Sequence, residues 1–146
     1  MGAKEYLSQA LWLDQRINSK LELLETLRAL AMKVSVNLTE EKVSGGKNTK
    51  SHMENTIAKI VDLEKEINRD INHLVGVKAE IMDTISQVDD PICQLLLEMR
   101  YVNGWSWEAV AGELRFDRSW ISRLHGSALK EIEKKMKHAS KINKKQ

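Results

Sequence analysis

Residues 53–88 read MENTIAKIVDLEKEINRDINHLVGVKAEIMDTISQV, and this stretch decides the fold. Steps of four and three residues land on Met53, Ile57, Ile60, Glu64, Ile67, Ile71, Leu74, Lys78, Ile81, Ile85 and Val88. Nine of these eleven are apolar. A 3.5-residue repeat held this long is the mark of a helix whose apolar seam faces another helix. Asp62, Lys65, Glu66, Arg69 and Asp70 fall largely off the seam, at spacings that suit ion pairs on a solvated face.

Upstream, residues 3–38 carry a second apolar stripe through Leu7, Leu11, Leu13, Ile17, Leu21, Leu24, Leu27, Ala31 and Val34, with no Gly or Pro between them. The two helices match in length, so an antiparallel coiled-coil hairpin is the simplest way to bury both stripes. Residues 39–52 have no period and contain Gly45-Gly46, which predicts a flexible connection. A narrow seam leaves Leu13, Val61, Leu63, Val75 and Val77 needing cover, and a homodimer through the long helices would supply it. The scaffold is therefore assigned to residues 1–88.

Downstream the pattern changes at Asp89-Asp90-Pro91. Asp before Pro suits an N-cap followed by the first helical position. Short helices follow: Ile92–Val102, ended by Asn103-Gly104; Ser106–Leu114, capped by Ser106; and one from Arg118 to about Lys137, capped by Asp117. The three-residue break between the last two is the layout of a helix-turn-helix, assigned to residues 89–138, with 139–146 as a basic tail. Val110, Ala111, Leu114, Phe116, Ile121 and Leu124 would hold the helices together. Arg118, Ser119, Trp120, Ser122 and Arg123 are left outward at the N-terminal end of the last helix, with Lys130 further along. In this motif such positions reach base edges and phosphates. Trp120 has two readings of equal weight, packing against protein or stacking on a sugar or thymine methyl. Trp105 and Trp107 are expected to fill the core between the short helices.

Charge agrees with that division. The formal net charge of the 146 residues is +2. Residues 1–88 hold 12 basic and 13 acidic side chains, residues 89–117 hold 2 and 6, and residues 118–146 hold 9 and 2. The last segment thus carries +7, the electrostatic footprint of a nucleic-acid binder.

Leu95 to Ala111 (LLLEMRYVNGWSWEAVA), with Ile121-Ser122-Arg123-Leu124-His125 and Ala128-Leu129, resembles region four of bacterial sigma factors. The shared pattern is an apolar helix ending in Arg-Tyr, a turn glycine, and a Ser/Thr-x-Glu-x-Ile/Val-Ala helix. Over its whole length the chain resembles a family of small phage and prophage proteins of Gram-positive bacteria, especially streptococcal ones. Ala3-Lys4-Glu5-Tyr6-Leu7, Leu13-Asp14-Gln15-Arg16-Ile17 and Met53-Glu54-Asn55-Thr56-Ile57 carry that likeness. Such proteins look like relatives of late-transcription regulators of the ArpU and RinA types. The resemblance implies sequence-specific binding of double-stranded DNA and activation of late genes. It also implies an alternative, a sigma-like interaction module that binds RNA polymerase or another regulator. The chain departs from region four in the turn, where Leu114-Arg115-Phe116-Asp117 has no Gly at the position that needs positive φ.

Other classes find no support in the residues. No run of 18 apolar residues suggests a membrane span, and Met1-Gly2-Ala3-Lys4-Glu5 opens no signal peptide. The lone Cys93 builds neither a disulfide framework nor a cysteine zinc site, and points to a cytoplasmic protein. Ser44-Gly45-Gly46-Lys47 lacks the first glycine of a phosphate loop, where Glu41 stands. His52, His73, His125 and His138 have no paired-ligand spacing. With no nucleophile–base pair either, the expectation is a non-enzyme without cofactor or metal.

Overall fold

The computed structural model describes residues 1–40 and 47–144, and every described element is helical. Helix α1 spans Ala3–Glu40, α2 Lys47–Ile85, α3 Pro91–Leu97, α4 Trp107–Leu114 and α5 Arg118–Lys144. The connection expected over 39–52 is shorter, because α1 runs on to Glu40 and α2 begins at Lys47. The centre of that prediction, 41–46, lies outside the described residues. At the other end α5 continues to Lys144 rather than stopping near Lys137. Lys, Ala, Ile and Glu are good or tolerable helix formers, and neither Gly nor Pro follows Gly126.

The chain forms two compact units, one made of Asp14–His73 and the other of Met1–Leu13 together with the chain from Leu74 onward. In the first, α1 and α2 run antiparallel. Lys20 pairs with Asp70 (2.5 Å), whereas Arg28, further along α1, pairs with Glu64 (2.9 Å), further back along α2. Leu24, Leu63 and Ile67 form the buried core here, with Leu27 and Ile60 against it. The seam differs from the 4–3 stepping. Leu63 turns inward, while Ile57 and Ile71 are exposed. Its line instead follows Ile60, Leu63, Ile67 and Asp70, because the Lys20 side chain draws Asp70 to the contact. Lys20 also holds the Asp70 carboxyl below the ordinary carboxylate range by donating a hydrogen bond.

The second unit closes a wider core. Leu7 of α1, Ile81 and Ile85 of α2, Leu96 and Leu97 of α3, Val110 of α4 and Ile132 of α5 are all fully buried. The Tyr6 hydroxyl lies 3.1 Å from that of Thr84, tying the start of α1 to the end of α2. The start of α1 and the end of α2 thus share a compact unit with the short helices.

Local chemistry sets the helix boundaries. Asp90 accepts from the Ile92 N–H (2.8 Å) with Pro91 next to it, and Ser106 accepts from Ala109 N–H (3.1 Å). Asp117 accepts from Trp120 N–H (2.7 Å). After Leu97 the helix widens into a π turn over Glu98–Val102, where the Asn103 N–H reaches back to the Glu98 carbonyl (3.0 Å). Gly104 follows at φ 73. Between α4 and α5, Arg115 takes the left-handed conformation at φ 57, ψ 39. The residues thus adopt the turn that Gly would favour, at a cost of roughly 1–2 kcal/mol for a side chain there. The Arg115 and Phe116 N–H groups both close onto the Ala111 carbonyl.

Candidate functional site

The six residues singled out from the sequence all lie on α5, and all are exposed. Helix geometry divides them, at about 100° per residue. Buried Ile121, Ala128 and Ile132 define the inner face. Ser119, Arg123 and Lys130, at i, i+4 and i+11, stand together on the face opposite. Arg118 and Ser122 occupy one shoulder. Trp120 occupies the other, with its ring edge-on to Phe116 at 6.4 Å. The structure therefore brings Ser119, Arg123 and Lys130 into one stripe, and sets Arg118 and Ser122 apart from it.

The Arg118–Ser122 shoulder borders a notch of about 340 Å³ that Lys4, Trp107, Ile121 and His125 also line. None of these four belongs to the expected set, and two of them, Lys4 and His125, bring titratable groups to it. Lys4 comes from the first turn of α1, held by buried Ala3 and Leu7 on either side of it. His125 is pinned by a 2.6 Å hydrogen bond between its Nε2 and the hydroxyl of buried Tyr101, and by the Trp107 edge at 4.5 Å. Burial, with the Lys4 and Arg100 charges beside it, pushes the imidazole down to about 4. It is thus neutral at physiological pH. Burial likewise raises the Tyr101 phenol above its ordinary range.

Two expectations about aromatic residues separate at this point. Trp107 is partly buried, under the Arg100 guanidinium at 4.9 Å and beside His125. Trp105 does not fill the core; its side chain is 37% exposed. It stands before the Ser106 cap, and its carbonyl accepts from Arg100 Nη1 (2.9 Å), which fixes the backbone and leaves the ring outside. Cys93 is buried as a small apolar side chain, its thiol raised by burial.

The remaining concavities offer less. The groove between α1 and α2 in the Asp14–His73 unit is larger, about 660 Å³. Its rim alternates Lys59, Asp62, Lys65, Glu66 and Arg69, so it presents charges of both signs to a ligand. Among the described residues no group of His, Cys, Asp or Glu converges as a metal site, and no helix is long and apolar enough to cross a membrane.

Sequence spacing places the six α5 residues on one helix, where the structure has them exposed. Nothing in it signals Lys4, more than a hundred positions from Arg118, and His125 enters the sequence reading through the region-four likeness and the absence of metal-ligand spacing, not as a member of a site. No curated protein and no solved structure matches the chain. One family model, described as a protein of unknown function, DUF1492, matches residues 32–133, well over half of the chain, and the chain accordingly belongs to the DUF1492 family.

Proposed function

We propose that α4, the Arg115–Asp117 break and α5 act as a helix-turn-helix, through which the chain binds double-stranded DNA sequence-specifically. Its role is phage or prophage transcription control, with activation of late genes. The observation that carries this reading is the outer stripe of α5. Ser119, Arg123 and Lys130 share one exposed face, and Arg123 and Lys130 enter no ion pair among the described residues. The segment that holds them carries +7. Ser119 and Arg123 are one turn apart, within the roughly 12 Å width of a major groove, and suit base edges. Lys130 lies about 16 Å from Ser119 along the helix and suits the flanking phosphates.

A dimer extends the reading. Ile57, Val61 and Ile71 of α2 are exposed at heptad-like intervals, with Leu21 and Met32 exposed on α1. A twofold dimer joined along these side chains would carry two α5 helices, as an operator of two half-sites requires. Light scattering is expected to report a dimer; a monomer at micromolar concentration removes this extension.

The test of DNA binding is selection of bound fragments from the encoding genome, then titration of the selected fragment across a salt series. Arg123→Ala is expected to weaken binding of that fragment at least tenfold, a loss of about 1.4–3 kcal/mol, and to erase its preference over unrelated duplex. Unchanged binding and preference would refute the assignment. The sigma-like interaction reading has its own observation: Trp120 is 44% exposed, off the outer stripe, with Phe116 beside it. Under that reading Trp120→Ala abolishes capture of RNA polymerase while leaving DNA affinity intact.

A further inference from the structure

The notch beside α5 assembles positive and hydrogen-bonding groups from three helices. Lys4 comes from α1, Trp107 from α4, and Arg118, Ser122 and His125 from α5. No carboxylate lines it. The nearest acid known to engage its cations is Glu108, whose Oε1 is 3.8 Å from Arg118 Nη1 with both side chains largely exposed. A contact that long and that wet holds the guanidinium weakly, so an anion of higher charge density can displace it. Lys4 enters no ion pair among the described residues.

The position of Lys4 is not that of a loose surface lysine. Ala3 and Leu7 are buried in the core of the same unit, so the first turn of α1 is held against the short helices. The floor is equally fixed. Trp107 lies edge-on to His125, and Tyr101 holds the imidazole by its short hydrogen bond. His125 is neutral at physiological pH, so the positive charge of the notch comes from Lys4 and Arg118. Ser122 adds a hydroxyl donor on the same shoulder of α5.

We propose that Lys4, Arg118 and Ser122 form a seat for one phosphodiester of a DNA duplex, above the Trp107–His125 floor. Two separated cations and a hydroxyl match the non-bridging oxygens of a phosphate. The proposal rests on the DNA-binding reading above and assigns these residues a different task from the outer stripe. Ser119 and Arg123 would carry sequence preference. The seat would carry register, by fixing the α5 shoulder against one strand through a residue from the far end of the chain.

The experiment uses the full chain and its selected duplex, with Lys4→Gln, which removes charge at an exposed position and leaves the core untouched. Affinity is measured from low to moderate salt, and again with single methylphosphonate linkages that neutralise each backbone phosphate in turn. The expected result has three parts. Lys4→Gln weakens target and unrelated duplex by the same factor. It makes the slope of log affinity against log salt shallower by about one. One methylphosphonate position that weakens the wild type no longer weakens the variant. Lys4→Gln with wild-type slope and every methylphosphonate penalty retained overturns the seat, while Arg123→Ala still reports on the DNA reading. A wild type that binds no duplex overturns both.

Discussion

The two compact units bury their apolar side chains to different depths. Around Leu24, Leu63 and Ile67 a single seam joins two helices, and Ile57, Val61, Ile71, Leu21 and Met32 remain in solvent. In the other unit, five helices contribute to one core, and Leu7, Ile81, Leu96, Val110 and Ile132 lose essentially all exposure. Two helices can only share a stripe, whereas helices converging from several directions can cover a residue on every side. The difference teaches where this chain has a fixed framework on which to hold a site, and where it has surface left for another molecule.

Truncation in the core gives the largest contrast. Leu96→Ala is expected to cost about 3–5 kcal/mol, because the surrounding helices cannot collapse into the space. Ile67→Ala is expected to cost nearer 2 kcal/mol, since a two-helix seam relaxes and admits water. Native-state hydrogen exchange resolved by residue checks this. Equal losses would mean that the two units are buried alike in solution.

Acid should divide the units next. Folded, His125 takes up its proton only near pH 4, against about 6.5 when unfolded. Its contribution is therefore complete above pH 6.5, and is lost as pH falls from 6.5 towards 4, because the unfolded state binds the additional proton. After allowance for a partly exposed ring, the loss is about 2–3 kcal/mol. Asp70 acts the same way but lower, being stabilising above its ordinary 3.8 and losing that contribution as pH falls further. Denaturation between pH 7 and 4.5 should destabilise the His125 unit, and His125→Gln should flatten the response. A pH-independent midpoint in the wild type contradicts this account.

The smallest effect belongs to the seam. Arg28→Ala removes an exposed pair with Glu64 and is expected to change stability by a few tenths of a kcal/mol, vanishing at high salt. A loss above about 1 kcal/mol would show that ion pairs, rather than the Leu24–Leu63–Ile67 contact, hold the two helices together.

Much of the fold is legible from local chemistry. The caps at Asp90, Ser106 and Asp117 depend on side chains bonding to backbone two or three residues on, and all three appear as the residues predict. Helical period, the left-handed Arg115 and the concentration of charge after residue 118 are local in the same sense. Non-local choices were beyond that reach. An apolar repeat leaves its shoulders nearly equivalent, so only the partner helix, with Lys20 meeting Asp70, decided that Leu63 turns inward and Ile57 outward. The placing of Trp105 outside the core needed the Arg100 hydrogen bond to its carbonyl. The juxtaposition of Lys4 with Arg118 and His125 needed the whole unit to close. By itself, then, the sequence determined the helices, the caps at Asp90, Ser106 and Asp117 and the charge of the last helix, because those follow from neighbours along the chain. Tertiary structure decided which faces meet and which distant side chains share a notch, because that depends on core packing between residues with no local relation.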